Sequence, residues 1–271
     1  MTSVLPFAKM CAAGNDFVLL RAPDAARAGR GPARLARALC DRRRGIGADG
    51  LLIVETGRSV PRLFYFNADG SRAFCGNGTR CAAVWLHRRG LTGGKKSFIL
   101  RTAAGNVSAE VRNAGKAAVR MPDPKGLELG LALRAGAWSG TGHRVDTGVP
   151  HLVVPVRDLE AMDVQGLGRA LRTHPAFKPG GVNVDFVRFG PRGIAMRTYE
   201  RGVEDETLAC GTGAVAAAIV AAALGLAAPP VRVAVRGGAV LKASFHQAPG
   251  SASDVWLEGP ADIVFTGEFP L

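Results

Sequence analysis

The sequence predicts an α+β protein made of two similar, pseudo-symmetric domains, each a β-sheet wrapped around a central apolar helix. Three observations lead to this prediction. The pattern C-G-x-G occurs twice, at Cys75 and at Cys210, and an apolar stretch follows each copy. Short motifs of the first half recur at a constant spacing in the second half. Segments rich in β-forming residues follow both apolar stretches, as expected where strands must cover an apolar helix.

Three pairs of motifs define the repeat. Gly14 in GNDFVLL and Gly148 in GVPHLVV each open a segment of strand character, and their sequence numbers differ by 134 (148 − 14). Gly47 in GADGLLIV and Gly181 in GVNVDFV have the same offset (181 − 47), and the offset of the two C-G-x-G cysteines is 135 (210 − 75). One nearly constant offset for three motifs favours duplication of a structural unit over chance.

The elements of each half follow in the same order. After the first strand and a glycine-containing loop comes an amphipathic helix, ARLARALC in the first half and LGRALRTH in the second. Further strands lead to the cysteine turn, and apolar helices are predicted over 78–87 and 213–224. Gly90 and Gly225 follow these helices, and glycine at such a position ends a helix readily.

Composition limits the classes of function. The formal net charge of +13 suits an anionic partner, but the densest basic region, residues 21–44, has no interleaved aromatic residues, so no nucleic-acid site is predicted. The longest apolar run, Ala214 to Ala228, is too short for a membrane span. The N-terminal segment lacks the pattern of a signal peptide, so we expect a soluble, cytoplasmic protein.

No disulfide, metal or organic cofactor is predicted. The number of cysteines, five, is odd, and the sequence shows no export signal, so a set of disulfide bonds is not expected. A zinc site is not expected either, because the sequence has no C-x-x-C pattern and its histidines are not clustered. No lysine flanks either C-G-x-G cysteine as a Schiff-base lysine would, and the nearest, Lys9, is expected to lie on the surface. Cys40 and Cys81 are expected to be buried structural residues, while the role of Cys11 stays open.

The C-G-x-G turns place a thiol at the start of a helix. Glycine allows the backbone to turn sharply and to approach a ligand closely. The free N–H groups of the first helical turn favour an anion such as a carboxylate, and the positive end of the helix is expected to lower the pKa of a nearby thiol. Each turn therefore combines an anion site with a candidate acid or base.

The duplication suggests how the two cysteines cooperate. Facing halves would bring Cys75 and Cys210 to opposite sides of one cleft. One thiolate would remove a proton from a carbon α to a carboxylate, and the opposing thiol would deliver a proton from the other side, which inverts the carbon. The helix N–H groups would stabilise the charge that develops on the carboxylate. This arrangement predicts a two-base racemase or epimerase.

The motifs resemble those of the diaminopimelate epimerase family over the whole chain. NADGSRAFCGNGTRC and YERGVEDETLACGTG resemble its two cysteine signatures, and AAGNDF, GIGADG, GVPH and GVNVDF resemble its shorter motifs. The resemblance implies cofactor-independent interconversion of LL- and meso-2,6-diaminopimelate, in lysine and peptidoglycan precursor synthesis, by a homodimer. With a boundary at Pro122-Asp123-Pro124, it also implies a first domain of residues 1–122, completed by the last strand, 260–271, and a second domain of residues 123–259.

The resemblance also assigns roles to individual residues. It implies that Cys75 and Cys210 are the base and the acid, and that His151 and Glu200 tune their protonation. Arg201 is suited to a carboxylate, because its planar guanidinium pairs both oxygens. The implied substrate-binding residues are Asn15, Asn67, Gly76, Asn77, Asn183, Glu200, Arg201, Gly211 and Thr212.

Four features depart from the family pattern. Cys11-Ala12-Ala13 differs from the usual loop, Gly50 stands where a substrate-binding Gln is common, Val149 stands where an Asn is common, and the segment from Asn67 to Cys75 is one residue shorter. These departures bear on the substrate more than on the reaction. Three alternatives stay open: another cofactor-independent amino-acid racemase on the same scaffold, a phenazine-type isomerase, against which the cysteine pair argues, and a basic nucleic-acid-binding module.

Overall fold

The computed structural model describes residues 4–57 and 59–271, which form two compact units. The first unit contains the chain up to Val119 together with Gly259–Leu271, and the second contains Arg120–Glu258. The division thus falls after residue 119, whereas the sequence predicted it after residue 122. It lies at the end of a strand, just before the irregular segment at Pro122-Asp123-Pro124.

Five α-helices, seventeen strands and a 3₁₀ turn at Pro175–Phe177 form the regular structure of the described residues. The helices are α1 (Ala22–Arg27), α2 (Pro32–Cys40), α3 (Gly76–Arg88), α4 (Val164–Arg172) and α5 (Gly211–Ala223). The first strands are β1 (Val4–Ala12), β2 (Asn15–Arg21), β3 (Gly50–Glu55), β4 (Arg62–Asn67), β5 (Ser97–Thr102), β6 (Gly105–Asn113), β7 (Lys116–Arg120), β8 (Lys125–Ala135) and β9 (Trp138–Asp146). The remaining strands are β10 (Pro150–Pro155), β11 (Asn183–Gly190), β12 (Gly193–Glu200), β13 (Asp205–Thr207), β14 (Val231–Val235), β15 (Val240–Ala248), β16 (Ser251–Pro260) and β17 (Asp262–Pro270).

In the first unit, strands wrap around α3. Their order is β17-β1-β2-β3-β4-β5-β6-β7, in which the pairs β2–β3 and β4–β5 are parallel and the other pairs are antiparallel. Residues 77–86 of α3 are all buried, and the helix contacts β1, β2, β3, β4, β6 and β17. The helices α1 and α2 cover the opposite face of the sheet, where Leu35 and Leu39 lie in the core. The last strand therefore completes the first unit.

The second unit repeats this arrangement around α5. The strand order is β8-β9-β10-β11-β12-β14-β15-β16, with β10–β11 and β12–β14 parallel, and the short β13 pairs with the end of β12. Residues 213–222 of α5 are all buried, and α4 packs on the other face through Leu167 and Leu171. The predicted α+β class, with two related units around apolar helices, is confirmed.

Both central helices begin two residues earlier than the sequence predicted, at Gly76 and at Gly211. Cys75 and Cys210 are the N-cap residues, with extended backbone at φ −139°, ψ 113° and at φ −118°, ψ 113°. The prediction was wrong because the glycines were taken as turn residues. They instead form the first helical turn, whose N–H groups need no partner within the helix.

The second amphipathic helix was also predicted too late in the chain. It begins at Val164, because the side chain of Asp163 accepts a hydrogen bond from the Gly166 N–H at 2.8 Å and caps the helix. It ends at Arg172, and His174 caps the following 3₁₀ turn instead of extending the helix. Among the described residues, no helix combines the length and the apolar character needed to cross a membrane.

Candidate active site

Cys75 lies at the point where the turn after β4 leads into α3. Its Sγ accepts a hydrogen bond from the Gly78 N–H at 3.4 Å and so caps the helix. Gly78 has little room for a side chain, since a Cβ there would lie 2.8 Å from Cδ2 of Leu52 and 3.6 Å from the ring of Phe17. The close packing of α3 on β2 and β3 therefore fixes the position of this thiol.

Two predicted site residues meet at Cys75. Its Sγ lies 3.8 Å from Oδ1 of Asn15, to which the thiol can donate, and Nδ2 of Asn77 donates to the same oxygen at 3.4 Å. The Nδ2 of Asn15 donates to Oδ2 of Asp49 at 2.6 Å. Asp49 thus orients the amide so that its oxygen, and not its nitrogen, faces the thiol.

A network of charged side chains lies behind Asn15. The Nη2 atom of Arg42 is 2.9 Å from Asp49 and 2.7 Å from Asp16, and Nζ of Lys9 is 2.7 Å from the Asp16 carboxylate. Burial opposes ionisation of Asp16, but the hydrogen bonds from Arg42 and Lys9 outweigh burial and lower its pKa to about 2. Lys9 is buried in this network, so its predicted position on the surface was wrong.

Asn67, at the end of β4, is held within its own turn. Its Oδ1 accepts from the Tyr65 hydroxyl at 2.7 Å, and its Nδ2 donates to Oγ of Ser71 at 2.9 Å. The Tyr65 ring also fills the space beside Gly50, where a Cβ would lie 2.4 Å from Cε2. A side chain larger than that of glycine at position 50 would therefore clash with the Tyr65 ring. A role of Asn67 in substrate binding stays a prediction.

Arg80 in α3 carries a buried guanidinium. Its Nη2 donates to Oδ1 of Asn77 at 2.7 Å, while Nε and Nη1 have no hydrogen-bond partner among the described residues. Burial lowers the pKa of Arg80, and the nearby thiol groups of Cys81 and Cys75, when ionised, oppose that effect. The side chain thus places a positive charge near the Cys75 end of the helix.

A chain of hydrogen bonds leads from Cys210 into the second unit. The Cys210 Sγ lies 3.4 Å from Oγ1 of Thr212, which is 2.9 Å from Nε2 of His151. The Nδ1 of His151 is 2.7 Å from Oδ2 of Asp185, and Thr198 donates to the other Asp185 oxygen at 2.7 Å. The side chains of His151 and Asp185 are fully buried. The structure therefore brings Cys210, Thr212 and His151 together with Asp185, and the roles of the first three in the site stay a prediction.

The thiol of Cys210 has a pKa well above its ordinary value. Burial is the main cause, and the negative charges of Glu200 and Asp185 act in the same direction. The expectation that the helix end would lower the pKa of a thiol is therefore wrong for Cys210, because desolvation exceeds the effect of the helix. Glu200, predicted to tune protonation, lies near enough to Cys210 to exert this influence.

Asn183 is the first residue of β11, and Arg201 directly follows the last residue of β12. The Asn183 Oδ1 accepts from the Arg201 backbone N–H at 2.8 Å, and its Nδ2 donates to the Pro150 carbonyl at 3.1 Å. The Nη1 of Arg201 lies 3.3 Å from the Gly180 carbonyl and 3.4 Å from that of Gly181. Asn183 therefore connects β10 to the start of the turn that carries Arg201.

Sequence reasoning missed Asp49, Arg80 and Asp185. Asp185 could have been found, because it lies two residues after Asn183 on β11, and alternate residues of a strand share a face. Arg80 gave no such signal, since a helix of mixed apolar and basic residues predicts an exposed arginine. Within residues 4–57 and 59–271, no three His, Cys, Asp or Glu side chains group in a way that could hold a metal ion.

Comparisons with known proteins agree with this arrangement. The family model described as diaminopimelate epimerase matches residues 7–126 and 144–261. The chain belongs to the diaminopimelate epimerase family. It is 41% identical over 276 residues to the diaminopimelate epimerase of Aquifex aeolicus, with 97% of each chain covered. It is also 38% identical over 286 residues to the O-ureido-serine racemase of Streptomyces lavendulae, with 98% of this chain and 96% of the relative covered.

A solved structure supports the fold independently. The phenazine biosynthesis protein of the PhzF family from Bacillus anthracis matches with a TM-score of 0.76, covering 99% of this chain and 100% of that chain. At 15% identity this likeness concerns the fold alone.

Proposed function

We propose that this chain interconverts LL-2,6-diaminopimelate and meso-diaminopimelate without a cofactor, with Cys75 and Cys210 as the two bases. The observation that carries the proposal is the position of these cysteines, each the N-cap of the buried central helix of one duplicated unit. Membership of the family over almost the whole chain supports the same reaction.

In the proposed reaction, one cysteine acts as thiolate and removes the α-proton, while the other acts as thiol and protonates the opposite face of the carbon. The charge that develops on the adjoining carboxylate is stabilised by N–H groups of the first turns of α3 and α5, at Gly76, Asn77, Gly211 and Thr212. Because one cysteine gains a proton and the other loses one, the reaction inverts the carbon and exchanges the protonation states of the two cysteines.

The remaining polar residues recognise the rest of the substrate in this proposal. Arg201 binds the carboxylate distant from the reacting carbon, and Asn67, Asn183 and Glu200 contribute polar contacts. Asn15 contributes through the oxygen that faces Cys75. His151 and Glu200 tune the protonation of Cys210.

A second candidate is racemisation of another amino acid by the same two cysteines. The observation that favours it is the O-ureido-serine racemase relative, whose 38% identity to this chain lies between the 41% and the 37% of two diaminopimelate epimerases. The resemblance to the family implies a substrate-binding Gln at position 50, but this chain has glycine there, and a Cβ at that position would lie 2.4 Å from Cε2 of Tyr65.

The test is incubation of purified protein with LL-diaminopimelate and, separately, with L-O-ureidoserine and L-alanine, followed by chiral chromatography. We expect meso-diaminopimelate to form and the two other amino acids to stay unchanged. Inversion of O-ureidoserine without conversion of diaminopimelate would favour the second candidate and contradict the first.

We further propose that the protein acts as a homodimer in the cytoplasm. Apolar side chains exposed on the neighbouring strands β1 and β17, namely Val4, Val264 and Phe265, support self-association. Sedimentation velocity should give twice the chain mass of 28.2 kDa. A species of single chain mass at micromolar concentration would contradict the dimer.

A further inference from the structure

The two cysteine turns differ in the residues that lie beneath them. A Cβ on Gly213 of α5 would lie 2.4 Å from Oδ1 of Asp185, whereas the space beside the equivalent Gly78 of α3 is taken by Leu52. The strand register makes Leu52 and Asp185 equivalent, at an offset of 133 (185 − 52), one less than that of the glycine motifs. Leu52 pairs with Leu19 in the first unit. Asp185 pairs with Val153, the counterpart of Leu19 at the repeat offset of 134, in the second.

The same comparison applies to His151. At the repeat offset of 134 its equivalent is Phe17, which is fully buried in the first unit. Duplication has therefore given one unit an apolar pair, Phe17 and Leu52, and the other a buried, hydrogen-bonded pair, His151 and Asp185. A buried ionisable pair is expensive to desolvate and would be replaced by apolar residues if packing were its only role.

The hydrogen bonds around His151 have a defined direction. The Asp185 carboxylate can only accept, so Nδ1 of His151 carries a hydrogen and donates to it at 2.7 Å. In the neutral ring, Nε2 is then an acceptor and receives the hydrogen bond of the Thr212 hydroxyl at 2.9 Å. The oxygen of Thr212 is left to accept from the Cys210 thiol, 3.4 Å away.

We propose that Thr212 carries a proton between Cys210 and His151, and that Asp185 is the positioning residue that holds His151 ready to receive it. The Cys210 S–H passes its proton to Oγ1 of Thr212 while the Thr212 O–H passes its own proton to Nε2 of His151. The products are a Cys210 thiolate, an unchanged threonine and an imidazolium paired with the Asp185 carboxylate. The reverse transfer restores the thiol.

This relay answers a problem that the burial of Cys210 creates. Burial together with Glu200 and Asp185 raises the pKa of the Cys210 thiol, so loss of its proton to water is unfavourable. Transfer to His151 keeps the proton within the site, and the imidazolium lies between the new thiolate and Asp185. Thr198, which donates to Asp185 at 2.7 Å, and the amide of Asn183, 3.5 Å from Nε2, complete the polar surroundings of the ring.

The relay rests on the proposed function, because a two-base reaction needs Cys210 in both protonation states. Its test is nevertheless independent of substrate. Iodoacetamide reacts with thiolates and hardly with thiols, so the alkylation rate of Cys210 in the free protein, measured by peptide mass spectrometry, reports its ionisation. The alkylation rate of Cys75 in the same sample is the internal control.

Two variants of Thr212 form a matched pair. Thr212→Val keeps the shape of the side chain but removes the hydroxyl, and we expect it to lower Cys210 alkylation at neutral pH by about tenfold or more. Thr212→Ser keeps the hydroxyl and should retain a rate within about twofold of the parent protein. Equal Cys210 rates in the two variants, with Cys75 unaffected, would overturn the relay.

Asp185→Asn tests the positioning role. An amide cannot accept from both His151 and Thr198 through its two ends, so the ring loses its fixed orientation, and Cys210 alkylation should again fall about tenfold. On diaminopimelate, kcat should fall while KM changes by less than about twofold, because Asp185 is buried and acts through His151. A raised KM with unchanged kcat would overturn this role. The variants of Thr212 and Asp185 could change Cys210 alkylation as expected while the parent protein does not convert diaminopimelate. That result would contradict the proposed function and still support the relay.

Discussion

The cysteine of the C-G-x-G turn has different neighbours in the two units. Around Cys75 lie the oxygen of Asn15 and the guanidinium of Arg80, and position 215, which corresponds to Arg80 at the cysteine offset of 135, is a buried valine. Around Cys210 lie a hydroxyl and a buried imidazole. A single thiol motif can thus be directed towards different protonation behaviour by one or two residues in contact with it.

Arg201 offers a test of recognition at the level of a single side chain. Arg201→Lys keeps the positive charge but loses the planar fork that pairs both oxygens of a carboxylate. We expect kcat/KM for diaminopimelate to fall roughly tenfold to a hundredfold, which corresponds to the loss of about 1.5–3 kcal/mol from a charged hydrogen bond. Steady-state kinetics measure this change. Full activity of the variant would show that Arg201 does not bind the distal carboxylate.

At the scale of elements, the starts of α3 and α5 combine a capping cysteine with a close approach of the helix to its sheet. Gly78 and Gly213 permit that approach because they lack a side chain. The atoms that a methyl group at each position would meet differ in their freedom to move. Cδ2 of Leu52 is the free end of a flexible side chain, whereas Oδ1 of Asp185 is held by Thr198. Addition of one methyl group should therefore have unequal effects on the two helices.

We expect Gly213→Ala to lower the free energy of unfolding by about 1–3 kcal/mol, the usual effect of overpacking. Gly78→Ala should have a smaller effect, because Leu52 can rotate and alanine favours the helix by up to about 1 kcal/mol. Urea denaturation of both variants gives the comparison. Equal destabilisation would contradict the view that the hydrogen bonds of Asp185 fix its position.

The buried thiol of Cys40, at the end of α2, should make the free energy of unfolding depend on pH. Burial raises its pKa in the folded protein from 9.0 to about 12. Between these values the unfolded chain has lost the proton that the folded protein keeps, so the free energy of unfolding falls as pH rises, by at most about 1.4 kcal/mol per pH unit. Below pH 9 this loss is absent.

The measurement is denaturant unfolding at several pH values from 7 to 11 for the parent protein and for Cys40→Ala. The variant should lose stability less steeply above pH 9, since only this group has been removed. The buried thiols of Cys81 and Cys210 affect both proteins equally. Parallel curves for the two proteins would contradict a raised pKa at Cys40.

The repeat of the two units could be predicted from the sequence because both copies of each motif are present in the chain. Glycines and cysteines at a nearly constant offset indicated two related units, and the apolar stretches indicated their buried helices. The differences between the units were harder to predict. In the sequence, Arg80 resembles a surface residue and Asp185 resembles a single polar residue of a strand. In the folded unit, Arg80 is buried in α3 and Asp185 contacts His151.

The site could be predicted to a similar degree. Cys75, Asn77 and Cys210 could be proposed as site residues because the C-G-x-G motif coincides with the start of a helix. The orientation of the Asn15 amide depends on Asp49, which is 34 residues away in the chain, so no local pattern could reveal it. The pKa of Cys210 depends on burial by the folded unit, which exceeded the effect of the helix end that local reasoning considered.

The proposed reaction requires two cysteines, one from each unit, to invert one carbon. The most direct measurement follows LL-to-meso conversion of diaminopimelate by chiral chromatography in the parent protein and in Cys75→Ala, Cys210→Ala and Cys40→Ala. We predict that the parent protein and Cys40→Ala reach the same equilibrium mixture at similar rates, and that each of the other two variants forms no meso product. Near-normal conversion by either Cys75→Ala or Cys210→Ala would contradict the two-base reaction.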